Sequence, residues 1–168
     1  MSYSVLYGIK KGKKSKKLIE FRNSHGFGTV TWIPYFIFYL KKDPMKKYMN
    51  EEDYDELWPL SFNQSIPYHQ RIVLHSTYDN AMIGIEKIDI FVSALDKWNE
   101  DFSSLIEGKV NHIPDISSYI KENMKLLKKY DYIAIQNTDI IDNQYDINWN
   151  PNGRRSVPVE KVYDLFDR

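Results

Sequence analysis

Cysteine is absent from all 168 residues of the chain. Without it the protein has no disulfide bonds, no thiolate nucleophile and no zinc or iron–sulfur site of the cysteine type. Long hydrophobic runs are missing as well: the most apolar stretch, Val30–Leu40, has eleven residues and contains Pro34. Because a membrane-spanning helix needs about twenty apolar residues, the sequence predicts a protein that does not enter a membrane.

The N-terminal segment lacks the basic stretch and the apolar core of a secretory signal peptide. Together with the absence of cysteine, this predicts a cytoplasmic protein. Hydrophobic residues make up 42% of the chain and aromatic residues 15%, which is too much for a disordered protein. Typical domains have roughly 100–200 residues, so we expect residues 1–168 to form a single globular domain.

The formal net charge is zero, from 23 basic and 23 acidic residues, but the two signs are unevenly distributed. Residues 1–50 contain eleven basic and two acidic residues, a local net charge of +9. Residues 51–168 contain twelve basic and 21 acidic residues, a net charge of −9. A basic N-terminal portion and an acidic remainder indicate a charged partner.

The densest basic segment holds six lysines within eight positions: Lys10, Lys11, Lys13, Lys14, Lys16 and Lys17. We predict strands at Tyr3–Ile9 and Leu18–Phe21, since β-branched and aromatic residues flank a polar turn that contains glycine. The lysines then occupy a hairpin loop. They are candidate ligands for an anion such as nucleic acid phosphate, as are Arg154 and Arg155. Alternatively, the loop is a solvated hairpin tip, or it meets an acidic partner or the acidic part of the same chain.

Acidic residues are concentrated in two segments. The first, directly after Asn50, is typical of a helix N-cap followed by an acidic first turn. The second also contains tyrosine and tryptophan. Aromatic anchors with surrounding carboxylates are typical of a surface that captures a basic protein, although a solvated loop fits the second segment equally well. The candidate protein-binding residues are Glu51, Glu52, Asp53, Asp139, Asp142, Tyr145, Asp146 and Trp149.

Hydrophobic periodicity predicts helices through the middle of the chain. Two of them, Glu86–Phe102 and Pro114–Lys128, follow helical spacing most closely. A third begins with Thr29 or Thr31 as its cap and runs to about Lys42, with Pro34 in its first turn. A strand is the competing prediction, because the segment is rich in aromatic residues, but Pro34 is unfavourable in a central strand. Two further helices are predicted at Asn50–Trp58 and at Ser65–His75, the latter with a buried strand at Ile72–Leu74 as its alternative.

Strands are predicted near the two ends of the chain, with the helices between them. Tyr130–Gln136 is typical of a strand, Asn150–Gly153 of a turn, and Val159–Phe166 fits a short helix or a strand. This order predicts an α+β fold: a single domain with a small antiparallel sheet, formed largely from N- and C-terminal strands and packed against several central helices.

The four histidines, His25, His69, His75 and His112, lack the spacing of a local metal site. The sequence His75-Ser76-Thr77 resembles one half of the two-histidine phosphoesterase signature, in which two His-X-Thr motifs flank a phosphodiester. The second motif is missing, so we do not assign that family. We expect no metal and no cofactor, and assign no catalytic residue.

The favoured hypothesis is a non-catalytic protein-binding module whose partner is another protein. It would be an inhibitor or immunity-type protein of a bacterium or phage that masks a partner surface. The first alternative is a nucleic-acid-binding protein that uses the Lys10–Lys17 loop. The second is an enzyme acting on a phosphoester or nucleotide through His75.

Overall fold

The computed structural model describes residues 4–13, 15–21, 27–77, 81–105, 112–136 and 163–164. The strands are β1 (Ser4–Ile9), β2 (Lys16–Phe21), β3 (Ala81–Gly84), β4 (Tyr132–Gln136) and β5 (Tyr163–Asp164). The α-helices are α1 (Phe27–Phe38), α2 (Glu51–Leu57), α3 (Tyr68–His75), α4 (Ile88–Phe102), α5 (His112–Glu122) and α6 (Met124–Leu127). Short 3₁₀ turns occur at Trp58–Phe62, Ile85–Lys87 and Ser103–Leu105.

The strands form one sheet in the order β2-β1-β4-β3-β5. The pairs β1–β2, β1–β4 and β3–β4 are antiparallel, whereas β3 and β5 pair in parallel. The strand β1 lies between β2 and β4 and aligns Leu6 with Ile19 of β2 and with Ile135 of β4. The predicted α+β fold with a small antiparallel sheet and several helices is therefore confirmed, while β3 was not predicted.

Side chains alternate between two buried faces of the sheet. On one face Leu6, Ile83, Ile133 and Ile135 join the large core formed with the helices. On the other, a smaller buried cluster contains Val5, Tyr7, Ile9, Met82 and Ala134. All six residues of β1 are buried, as expected for a strand that has a neighbour on each side and is covered on both faces.

Helix α1 begins and ends earlier than predicted. It starts at Phe27, whose backbone N–H donates to the buried Ser4 Oγ over 2.7 Å. A side chain from β1, rather than Thr29 or Thr31, therefore accepts the first N–H of the helix. As a consequence Pro34 lies inside the helix and not in its first turn. The helix does not reach Lys42, because Lys41 adopts φ 55°, a left-handed conformation that commonly ends helices.

The prediction for α2 is confirmed down to its cap. Asn50 Oδ1 accepts the Asp53 N–H and Asp53 Oδ2 accepts the Asn50 N–H, each at 2.9 Å. This reciprocal pair is a capping box.

The remaining predicted elements differ from the structure mainly at their ends. The segment before Ser76 is helical, so the alternative strand at Ile72–Leu74 is wrong. The helix predicted at Pro114–Lys128 is interrupted at Asn123, which separates α5 from α6. Within Val159–Phe166, predicted as a short helix or a strand, the two described residues Tyr163 and Asp164 form the strand β5. Among the described residues, no helix combines the length and the apolar character required to cross a membrane.

Candidate anion-binding surface

The β1–β2 connection is the predicted hairpin, and its described lysines are exposed. Lys10, Lys11 and Lys13 lie at the tip, where the Lys13 N–H donates to the Lys10 carbonyl over 3.1 Å. Gly12 adopts φ 74° in this turn, a conformation that glycine reaches without steric cost. The tip therefore holds three ammonium groups in solvent on a short, hydrogen-bonded turn.

The two lysines that begin β2, Lys16 and Lys17, differ in their ion pairing. Both are exposed, but Lys17 forms an ion pair with Glu20 on the same strand. Lys16 has no ion pair with another described side chain. Because Glu20 partly neutralises Lys17, the charge available to a ligand is concentrated toward the tip.

Two further lysines join the hairpin tip from the other half of the chain. Lys128 and Lys129 follow α6 and are exposed. The turn after them is held against β1, since the Asp131 N–H donates to the Ile9 carbonyl over 2.9 Å. The Lys11 N–H in turn donates to Asp131 Oδ2 over 2.8 Å. Tertiary contacts thus bring two lysine-rich segments to one end of the sheet.

We call the group formed by Lys10, Lys11, Lys13, Lys128 and Lys129 the basic end. None of its five lysines forms an ion pair with another described side chain. The carboxylate of Asp131, which accepts the Lys11 N–H, adds one negative charge beside these lysines. Five ammonium groups and one carboxylate leave these six residues with a formal charge of +4.

No protein-family model, no curated protein and no solved structure matches this chain. The residues and their geometry therefore carry the functional argument alone.

Lys128 and Lys129 were not predicted as partners of the hairpin. More than a hundred residues separate them from Lys11, so no local motif connects the two segments. A signal was present nonetheless, because the two lysines directly precede a predicted strand. If that strand pairs antiparallel with β1, its beginning must lie beside the end of β1, where the hairpin lysines start.

Many of the predicted binding residues lie outside the described part of the chain, so their predictions stay untested. They are Lys14, Asp139, Asp142, Tyr145, Asp146, Trp149, Arg154 and Arg155.

The described acidic candidates lie at the start of α2. Glu51 and Glu52 are exposed, whereas Asp53 is buried. Besides its role in the capping box, Asp53 accepts a hydrogen bond from Lys42 Nζ at 2.6 Å. This ammonium group, followed by the Asn50 N–H, lowers the pKa of the Asp53 carboxyl. Asp53 therefore stabilises its own helix, and of the three acidic candidates on α2, Glu51 and Glu52 face solvent.

The histidine on which the enzyme hypothesis depends, His75, is buried. His75 is 3% exposed and its ring contacts Phe62 with centroids 5.6 Å apart. Thr77, the third residue of the His-X-Thr sequence, is also buried and donates to the Leu74 carbonyl over 2.6 Å. A general base must reach its substrate, so this geometry speaks against catalysis by His75. Within the described ranges, no three His, Asp or Glu side chains are grouped to hold a metal ion.

A polar cluster formed by Asp101, His69 and Gln70 lies at the C-terminal end of α4, away from the basic end. Asp101 Oδ2 lies 2.5 Å from His69 Nε2 and accepts the Gln70 Nε2 group over 2.9 Å. Burial raises the pKa of the Asp101 carboxyl, but the hydrogen bonds from Gln70 and His69 outweigh this, so the pKa is lowered. The N-terminal end of α4 adjoins the basic end, because the Ile85 N–H donates to the Asp131 carbonyl. At a rise of about 1.5 Å per residue, Asp101 lies about 20 Å along the helix axis from Ile88.

Proposed function

We propose that this chain binds nucleic acid and that its basic end contacts the phosphate backbone. The observation that carries the proposal is the convergence of the two lysine-rich segments on one end of the sheet. Lysine offers a compact charge and no planar fork, so it suits phosphate contacts better than bidentate contacts to base edges. Such contacts position a protein on nucleic acid without selecting a sequence.

The exposed, positively charged lysines of the basic end provide the driving force for binding nucleic acid. Each lysine that neutralises a phosphate releases condensed counterions, so the affinity falls as salt concentration rises. Five contacts correspond to a slope of log K against log[salt] of about −3.5 for a single strand and about −4.5 for a duplex. A ligand held by a hairpin tip alone would give a shallower slope, because Lys128 and Lys129 would not contribute.

Charge reversal at Lys128 and Lys129 tests this proposal. We expect the double variant K128E/K129E to bind a short oligonucleotide about ten-fold more weakly at low salt, since it loses two favourable contacts and gains two repulsive ones. Its salt slope should be shallower by about 1.4 to 1.8. Fluorescence anisotropy with a labelled oligonucleotide, measured over a range of salt concentrations, gives both quantities.

The matched control is K46E/K47E, which makes the same charge change at two exposed lysines between α1 and α2. We expect its salt slope to equal that of the unchanged protein. An equal loss in both variants would mean that net charge alone determines binding. Absence of salt-dependent binding in the unchanged protein would contradict the proposal outright.

A second candidate is the protein-binding module of the inhibitor or immunity type. It is supported by three large aromatic side chains with considerable exposure: Phe38 at 45%, Phe62 at 44% and Tyr68 at 43%. The Arg71 guanidinium lies 5.5 Å from the centroid of the Tyr68 ring. Tyrosine and arginine are enriched among the residues that dominate protein interfaces.

For this second candidate, the double variant F62S/Y68S should lose a stoichiometric protein partner that the unchanged chain recovers from a bacterial lysate. Tyr48→Ser is the control, because Tyr48 is 94% exposed and lies on a different connection. Affinity capture followed by mass spectrometry measures both. Recovery of the same partner by F62S/Y68S would place the interface elsewhere, and recovery of none by the unchanged chain would count against the candidate.

A further inference from the structure

Two tyrosine rings lie beside the lysines of the basic end. Tyr132 is the first residue of β4 and is half-buried. Lys11 Nζ lies over its ring, 5.6 Å from the ring centroid. Tyr130 directly follows Lys129 and is also half-buried. Neither ring belongs to the interior of the large core, so both are parts of the surface that carries the lysines.

The Tyr130 ring is held against the backbone of β1. A Cβ atom on Gly8 would lie 2.7 to 2.8 Å from three carbon atoms of this ring, which is closer than any real Cβ contact. Glycine is therefore the residue that permits the ring to lie on the strand. The ring lies against β1 on one side, and Tyr130 as a whole residue is half-buried.

The two rings lie on opposite faces of the sheet. Tyr132 packs against the cluster that contains Tyr7 and Ile9. A Cβ atom on Gly8 would point to the face of Leu6, because side chains alternate along a strand, and the Tyr130 ring lies where that atom would be. The basic end therefore has an aromatic ring on each face of the sheet, and Lys11 lies over one of them.

We infer that the ligand of the basic end is single-stranded nucleic acid, whose bases stack on Tyr130 and Tyr132. This inference rests on the proposed function. Positive charge that follows the backbone, combined with aromatic rings that accept bases, is how proteins hold single strands without sequence preference. In a duplex the bases are paired and stacked on one another, so they cannot occupy these rings. The Lys11 ammonium lies over the Tyr132 ring, so a base that stacks there displaces it, and the displaced ammonium can contact the phosphate of the same nucleotide.

Three probes of equal length separate stacking from charge: single-stranded oligothymidylate, a strand of abasic sugar-phosphates, and a duplex. We expect the unchanged protein to bind oligothymidylate at least about ten-fold more tightly than the abasic strand, since each stacked base typically contributes about a five-fold gain or more. It should also bind oligothymidylate more tightly than the duplex. Fluorescence anisotropy at one fixed salt concentration measures all three affinities.

Variants then assign the stacking to particular rings. Tyr132→Leu and Tyr130→Leu keep apolar bulk at these half-buried sites and remove the aromatic ring. Each should weaken oligothymidylate binding about five-fold and leave abasic-strand binding and the salt slope unchanged. Tyr48→Leu serves as the control and should change neither affinity, and circular dichroism checks that every variant is folded.

The outcomes distinguish this inference from the proposed function. Equal, salt-dependent affinity for oligothymidylate and the abasic strand would overturn the stacking and leave phosphate binding intact. Tighter binding to the duplex, or unchanged oligothymidylate binding in both tyrosine variants, would likewise overturn it. If no probe binds at low salt, the proposed function fails together with this inference.

Discussion

Trp98→Ala should lower the free energy of unfolding by about 4 kcal/mol, because truncating a fully buried tryptophan typically costs about 3–5 kcal/mol. Trp98 is 0% exposed and its ring meets Phe102 edge-on with centroids 5.2 Å apart. Its indole N–H donates to the Tyr35 hydroxyl over 3.2 Å. The substitution therefore removes apolar contacts, leaves a cavity between α4 and α1, and deprives a buried hydroxyl of its donor.

The stability of this part of the core also depends on the buried Tyr35, which Trp98 contacts. Burial raises the pKa of the Tyr35 hydroxyl well above its ordinary value, so the group stays neutral and donates to the Gln70 carbonyl of α3. Trp98 and Tyr35 thus connect the three helices α1, α3 and α4 through the core. Typical domains are stable by only about 5–15 kcal/mol, so the expected loss is a large part of the total.

Urea denaturation followed by circular dichroism measures the Trp98 effect. Trp98→Phe is the control: it keeps an aromatic ring against Phe102 and removes the donor, and should cost about 1–2 kcal/mol. A loss below about 1 kcal/mol for Trp98→Ala would show that the core collapses into the space, against the expectation for close-packed interiors.

Ser4→Ala should destabilise the protein by about 2 kcal/mol, because a buried donor that loses its partner typically costs about 1–3 kcal/mol. Ser4 is 0% exposed and accepts the N–H of Phe27, the first residue of α1. The first N–H groups of a helix have no partner within the helix. The alanine side chain cannot accept this hydrogen bond, so the loss should weaken the attachment of α1 to β1.

Two further variants isolate the hydroxyl of Ser4. Ser4→Thr retains the acceptor oxygen and should lose much less stability than Ser4→Ala. Ser93→Ala makes the same chemical change at an exposed position of α4, where we expect almost no effect because alanine favours helices. If Ser4→Ala and Ser93→Ala have equal unfolding midpoints, Ser4 does not act as the cap of α1.

Features that depend on interactions between residues close together in the chain were predicted correctly. Asn50 directly precedes the acidic first turn of α2, so its role as the N-cap was predicted from the sequence, as was the hairpin around Gly12. The helix α4 was predicted almost to its ends, because its apolar residues repeat at helical spacing over four turns. Local hydrogen bonds and periodicity are properties of neighbouring residues, and a sequence displays them directly.

Elements that depend on distant partners were missed or misplaced. Ser4 and Phe27 are 23 residues apart, and no local pattern shows that one accepts the first N–H of the other's helix. The strand β3 has four residues and too short an alternation to be recognised, so its pairing with β4 defines it. His75 belongs to a helix whose apolar residues are buried, but only the packing of α3 against α4 and the adjoining 3₁₀ turn shows that the imidazole is buried too.

The sequence by itself determined an α+β chain without disulfide bonds, with a basic hairpin near its start and two amphipathic helices in its second half. Composition, local turns and periodicity suffice for those conclusions. Only the tertiary structure decided that Lys128 and Lys129 lie beside the hairpin tip and that two tyrosine rings accompany them. It also decided that Asp53 is engaged within its own helix and with Lys42. The pairing of β1 with β4 brings together residues more than a hundred positions apart, and spatial proximity of that kind is absent from the order of residues along the chain.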